Sequence, residues 1–249
     1  MRMRSGDRRP EGLRLPETGR RTPSTSTSVP EGGSRKPSGF RTLPRSFYDR
    51  PTLKVAKDLL GKVLVHRASS GVTAGMIVEA EAYIGEDDPA CHAAPGPTNR
   101  NAPLYGRPGF SYVYLNYGIH YLVNAVTETA GRPAAVLIRA LEPVDGLGLM
   151  QKRRAPAGTH VPDAHLCRGP GNLTRALAIT LAENQLDLVS GRLVIEDRGV
   201  AIGPVAWGTR IGIRVGVEKR WRCWIAGHPA VSGSRDRTDD KVNAGHRRT

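Results

Sequence analysis

The sequence predicts an α+β fold. Short alternating strands and amphipathic helices follow one another along the chain without βαβ regularity. One stretch, Ile84 to about Gly109, carries Pro, Gly, Asn and Asp and no helical or strand period. At 39% hydrophobic and 24% charged residues, the 249-residue chain can bury one good-sized core and still carry unfolded ends.

The elements are read in chain order. Residues 1–43 consist mainly of Arg, Ser, Thr, Gly and Pro, with too little apolar surface to offset ordering entropy, and are expected to be a disordered basic tail. Pro51 is tolerated in a first helical turn. Leu53, Ala56, Leu59 and Leu60 follow at helical spacing, and Gly61 stops the helix. Lys62–Arg67 alternates around Val63 and Val65 as a strand, and Gly75–Tyr83 reads as a buried strand. After the long loop, Phe110–Tyr117 and His120–Thr127 read as two strands joined by a turn at Gly118. Ala134–Leu141 is another strand. Residues 144–154 and 172–179 read as helices, the second after the Gly169-Pro170-Gly171 turn, and Leu193–Ile225 holds several short strands with Gly breaks. Residues 44–229 are expected to be the domain and 230–249 a second disordered tail.

The net charge is +14, of which +6 falls on residues 1–43, +2 on 230–249 and +6 on the domain. A basic domain points to a polyanionic partner, nucleic acid first, or else to a solvated surface. No apolar run approaches the ~18 to 20 residues that span a bilayer. Residues 1–30 lack the apolar stretch of a secretory signal, and Asp7, Glu11 and Glu17 speak against a mitochondrial transit peptide. Cys91, Cys167 and Cys223 are an odd number without a CxxC, which argues against a disulfide framework and for a reducing, cytoplasmic setting. His160, His165 and Cys167 match no zinc spacing, so no metal is expected.

The strand Ile77-Val78-Glu79-Ala80-Glu81-Ala82-Tyr83 puts two carboxylates and a Tyr on one face of an otherwise apolar element. Buried carboxylates are rare unless paired or functional. Arg139 interrupts the apolar strand Val136–Leu141 and could pair with one of them, either as part of a reactive site or as an ion pair that serves packing alone. Six of the seven Tyr (Tyr83, Tyr105, Tyr112, Tyr114, Tyr117 and Tyr121) fall beside the long loop. Some of these belong to a core, and on a basic protein the concentration favours a platform for stacking bases.

The ordered motifs resemble one family. They run Arg45-Ser46-Phe47-Tyr48, Ala56-x-x-Leu59-Leu60-Gly61, Ile77 to Tyr83, and His92. Thr98-Asn99-Arg100-Asn101, Pro108-Gly109 and Tyr112-Val113-Tyr114-x-x-Tyr117-Gly118 follow, then Asn124, Arg139-Ala140-Leu141-Glu142-Pro143 and Gly169-Pro170. Over about 45–228 the chain is similar to the alkyladenine (3-methyladenine) DNA glycosylases of the mammalian type, which also occur in many bacteria. The resemblance implies a single compact α+β domain, a mixed or antiparallel sheet surrounded by helices. It implies excision of alkylated, and in some members deaminated, purines from duplex DNA by base flipping. Residue by residue it implies Glu81 as general base, Arg139 fixing the water and Glu81, and Tyr83, His92 and Tyr114 stacking on the base. Asn124 would reject guanine, and Tyr117, just before the Gly118 turn, would intercalate from the tip of a protruding β-hairpin. Arg100 and Asn101 would order the loop or touch the DNA backbone, and Glu79 would support. Damaged double-stranded DNA is the expected partner of a monomer in a bacterial nucleoid, with no cofactor and no membrane. The chain departs from the pattern at Leu104-Tyr105, where members often carry Met and Phe.

Three rival readings accompany this one. Gly169–Leu177 has the outline of a helix-hairpin-helix turn, although Pro162–Arg168 is a poor first helix. Glu79 and Glu81 could flank a sugar as in a glycoside hydrolase. A non-enzymatic basic module could bind distorted duplex nucleic acid, and its binding would survive loss of Glu81.

Overall fold

A computed structural model of the chain describes residues 40–233. The expected tails lie mostly outside these residues, but both boundaries shift inward. Arg41–Thr42 form strand β1, Leu43 is buried, and at the other end Ala230 and Ser232 are buried. The residues assigned to tails at 41–43 and 230–232 therefore belong to the folded part.

Among the described residues all strands pair antiparallel in one nine-stranded sheet of order β1, β7 (Leu193–Asp197), β2 (Val63–Ala68), β3 (Gly71–Ile84), β6 (Ala134–Asp145), β5 (His120–Val126) and β4 (Ser111–Asn116), with β9 (Arg222–Ile225) on β3 and β8 (Val205–Gly208) on β9. This is the α+β fold the sequence predicts, with an antiparallel sheet. Its axis is β3 (Gly71–Ile84), longer than expected at 14 residues. The start of β3 pairs with β2 (Val63–Ala68), and its Glu79–Glu81 segment with β9 (Arg222–Ile225). Its other edge pairs with β6 (Ala134–Asp145). The register between β3 and β6 slips three times, once where Ala74 faces Asp145 and Gly75 faces Pro143, and twice where Ile77 faces Leu141, Glu79 faces Ala140 and Ala80 faces Ile138. Val78 is thus extra on β3 and Arg139 extra on β6. Such bulges bend strands and re-aim side chains, and here they bracket the Glu79–Arg139 region.

The hairpin of β4 (Ser111–Asn116) and β5 (His120–Val126) extends the sheet beyond β6. Its tip turns through Tyr117 and Gly118, at φ +48° and +70°, with Ile119 N–H donating to Asn116 O. Two successive left-handed residues form the turn whose twist suits a hairpin. Gly118 adopts it freely and Tyr117 does not. On the far side, β7 (Leu193–Asp197) joins β2 to β1, and β8 (Val205–Gly208) flanks β9.

Helix α2 (Thr52–Leu59) buries Val55, Ala56 and Leu59 against the sheet, following α1 (Arg45–Tyr48). Residues 144–145 belong to β6 rather than to the helix expected there, which is α3 (Leu147–Arg154). The one-turn α4 (Asp163–Leu166) occupies the stretch read as a poor helix, and α5 (Pro170–Leu177) starts two residues before the expected 172. Helix α5 turns Leu173, Ala176 and Leu177 into the core beside Leu64, Ile77, Ile138 and Leu141. The long loop is irregular apart from a 3-10 turn at Ala102–Tyr105. Its far end is tied down by Arg45, which donates to Pro108 O (2.7 Å) and to Asp187 (2.6 Å). No helix among the described residues is long and apolar enough to cross a membrane.

Candidate active site

The period of two along each strand sets the site. Tyr112 faces Asn124, Asn124 faces Leu137, and Leu137 faces Glu81, a row running from β4 across β5 and β6 to β3. One pleat away Tyr83 faces Ala135, and on the hairpin Tyr114 faces Leu122. Side chains two apart share a face, so the rows make one wall. The long loop brings His92, and residues 211–213 come from the segment between β8 and β9. Together they enclose a cavity of about 350 Å³ lined by Tyr83, His92, Tyr112, Tyr114, Tyr117, Asn124, Arg139 and Ile211, among others. That is the small end of ligand cavities.

The aromatic side is tightly interlocked. The His92 and Tyr114 rings meet at 4.4 Å and 63°, and those of Tyr112 and Tyr114 at 5.3 Å and 33°. His92 Nδ1 and the Tyr112 hydroxyl share a hydrogen bond of 2.8 Å. Burial, helped by the charge of Arg100, lowers the His92 pKa and favours the neutral ring. Burial pushes the Tyr112 phenol up to about 12. The Asn124 amide donates to Tyr112 O (2.9 Å).

Glu81 lies just beneath this lining and is fully buried. Oε2 accepts from the Tyr83 hydroxyl (2.8 Å), and Oε1 accepts from Ile211 N–H (2.7 Å) and faces Arg139 Nη1 (3.2 Å). All three of these partners line the cavity. A carboxylate has about four lone-pair sites, so one on Oε2 is still unused. Burial raises the Glu81 pKa, while Arg139, Ile211 N–H and Tyr83 oppose the rise. Behind it, Glu79 accepts from Arg139 Nε (3.1 Å), Arg222 Nη1 (3.2 Å) and Ser232 N–H (2.6 Å). Arg139 thus contacts both carboxylates rather than one, and two buried cations balance two buried anions.

The remaining expected residues separate. Tyr117 stands at the hairpin tip, 83% exposed, at the rim of the cavity. Asn101 is buried and orders the loop: its amide donates to His92 O (2.7 Å) and Gly96 O (2.9 Å) and its oxygen accepts from Thr98 N–H (2.6 Å). Arg100 is exposed beside it. At the departure from the family pattern, Leu104 is buried and the Tyr105 hydroxyl donates to Glu86 (2.7 Å). Among the described residues no group of three or more His, Cys, Asp or Glu is placed to hold a metal.

Sequence reasoning missed Asp88, Arg210, Ile211, Arg222 and Ser232. Arg210 and Arg222 carry the signal that singled out Arg139, a cation between apolar neighbours in Thr209–Ile213 and Trp221–Ile225. Ile211 and Ser232 act through backbone N–H groups, which no side-chain pattern marks.

Comparison with known proteins gives the chain a family. Residues 46–229 match the family described as methylpurine-DNA glycosylase. A protein of Methanocella arvoryzae named "Putative 3-methyladenine DNA glycosylase" is 48% identical over 194 residues, covering 76% of this chain and 95% of that protein. Proteins of the same name from Chlorobium phaeobacteroides (45% over 195 residues, 78% of this chain and 96% of that one) and Burkholderia lata (44% over 194 residues, 77% and 91%) are similar. By this match over most of its length, the chain belongs to the methylpurine-DNA glycosylase family.

Proposed function

We propose that the protein hydrolyses the N-glycosidic bond of alkylated purines such as 3-methyladenine in duplex DNA, and of deaminated purines such as hypoxanthine. One observation carries the reading: a buried carboxylate, Glu81, is oriented by three donors that all belong to the wall of an aromatic cavity. A base inside a duplex cannot reach such a cavity, so the nucleotide is flipped out. Tyr117, exposed at a tip that forms the cavity rim, fills the gap as a wedge from the minor groove.

The flipped base stacks against Tyr83, His92 and Tyr114. An alkylated purine is a cation, and the electron-rich faces attract it by roughly 0.5 to 2 kcal/mol. Asn124 crowds the position a guanine amino group would take. A water entering between Tyr83, Arg139 and Ile211 meets the free lone pair of Glu81 Oε2. As its oxygen bonds to C1′, one proton passes to Glu81 and the C1′–N bond breaks. The bonding pair goes to the purine, which leaves neutral if it entered as a cation. Arg139 holds Glu81 in place and keeps charge balance beside it. No lysine lines the cavity among the described residues, so the product is an intact abasic site and the enzyme is monofunctional.

The test is base release from methylated duplex DNA and from a duplex with a single hypoxanthine, by the intact protein and by Glu81→Gln. Release by the intact protein alone supports the reading. Equal release by both removes Glu81 as the base. Binding without release by either leaves a non-enzymatic duplex-binding module.

A further inference from the structure

Arg210 and Asp88 form a fully buried pair outside the cavity lining. The guanidinium grips the carboxylate with both ends, Nη1 to Oδ2 at 2.5 Å and Nη2 to Oδ1 at 2.7 Å. Nη1 also donates to Ala82 O (3.1 Å), and the cation lies 4.6 Å from the centroid of the Tyr83 ring and 5.2 Å from that of Trp221. Asp88 in turn accepts from Ile84 N–H (3.4 Å) and Ala90 N–H (3.3 Å), at the root of the loop that delivers His92. The residue after Arg210 is Ile211, whose N–H holds Glu81. The pair therefore joins the end of β3 and the loop root that follows it to the Ile211 segment, 122 residues further along the chain. Buried ion pairs contribute little to stability on balance, and here Arg210 Nε is left buried with no partner. Such an arrangement is better suited to fixing positions than to raising stability.

We propose that the Asp88–Arg210 pair is the positioning element of the active site, setting Ile211 N–H against Glu81 and the Tyr83 ring against the base. This rests on Glu81 being the general base. The groups facing Glu81 are Glu79 and Tyr83 on β3 itself, Arg139 on β6, Tyr114 on β4, Cys223 on β9 and Arg210. Of these groups, Arg210 alone lies outside the strands. If Ile211 N–H withdraws, one interaction favouring the ionised carboxylate is lost, and base release fails at higher pH than before.

Asp88→Asn and Arg210→Lys, in the full-length protein, test this by single-turnover release from methylated duplex across the acid range. Binding to a duplex with an abasic-site analogue is measured alongside, with Glu81→Gln as a parallel control. Expected are a rate lower by about 10- to 100-fold, an acid limb moved toward neutral pH, and binding within about threefold of the unaltered protein, since both side chains are buried and neither lines the cavity. If these variants do not fold, Gly216→Ala decides. Its Cβ would lie 3.1 Å from Arg210 Nη2 and 3.4 Å from Asp88 Oδ1, at a backbone φ of +62° that strains a non-glycine residue, so it disturbs the pair and the segment that carries Ile211 together. A folded variant with unaltered rate and unaltered acid limb, while Glu81→Gln is inactive, overturns the positioning role alone. Activity of Glu81→Gln equal to that of the unaltered protein overturns the reading of Glu81 instead.

Discussion

Arg139 donates through Nε to Glu79 at 3.1 Å and places Nη1 3.2 Å from Glu81, so a single guanidinium spans a supporting carboxylate and the proposed base. The two carboxylates should separate by experiment. Glu79→Gln takes from Arg222 its carboxylate and leaves Arg139 with Glu81 alone, and removing one partner from a buried charge set costs about 3–5 kcal/mol. For a domain of this size that lowers Tm by roughly 6–20 °C. Glu81→Gln should lower base release by about 10²- to 10⁴-fold. Thermal unfolding and single-turnover release of both variants check this. A Glu81→Gln protein with full activity would reverse the assignment.

The pH dependence follows from the burial of Glu81. Its pKa is raised, burial outweighing Arg139, Ile211 N–H and the Tyr83 hydroxyl. A general base works only when ionised. Protonation at a raised pKa therefore switches the reaction off at a higher pH than the ordinary Glu value of about 4.3. Single-turnover release of a cationic purine should fall on acidification with a midpoint above that value. A rate that holds constant down to it would remove Glu81 as the titrating base.

The strands that build the site were legible because alternation of side chains is written in the sequence. Glu81, Tyr83, Asn124 and Tyr114 sit on period-two segments, and the register brings them to one wall. Two kinds of feature were not legible. The bulges at Val78 and Arg139 depend on β9 and β6 both pairing with Glu79, a relation between distant strands. The segment from 209 to 216 has little regular structure, and its contribution is one backbone N–H and one buried cation. The ends of the domain are not legible in composition, because tail-like sequence continues through 41–43 and 230–232 while Arg41–Thr42 pair with β7, Leu43 and Ala230 are buried and Ser232 N–H is held by Glu79.

Tyr117 holds φ +48° at the hairpin tip, 83% exposed, with no packing that requires a ring there. A non-glycine residue in this conformation costs of order 1 kcal/mol. Tyr117→Gly should leave stability unchanged or raise it by about 0.5–1 kcal/mol, and should weaken lesion-duplex binding and slow base release. Thermal unfolding and duplex binding measured together check the opposite signs. Unchanged binding and release would remove the wedge role.

Truncation at each end locates the true boundaries of the domain. At the C-terminus, Ser232 N–H donates to Glu79 Oε2 at 2.6 Å, and its hydroxyl accepts from Arg139 Nη2 at 3.2 Å. Ending the chain after Gly233 keeps both bonds; ending it after Pro229 deletes both and uncovers a buried carboxylate. At the N-terminus, starting at Phe40 keeps β1 on β7 and Leu43 in the core, while starting at Pro44 removes them. The chain 40–233 should therefore unfold as the full protein does. Stopping after Pro229 should cost about 1–3 kcal/mol for the orphaned acceptor and slow base release through Arg139. The start at Phe40 also removes most of the excess positive charge of the first 43 residues, so DNA binding by 40–233 should weaken modestly, with a shallower dependence on salt. Thermal unfolding, base release and salt-dependent binding of the four chains check each step. Full stability and activity in the chain that ends at Pro229 would show that Ser232 has no part in holding the carboxylates.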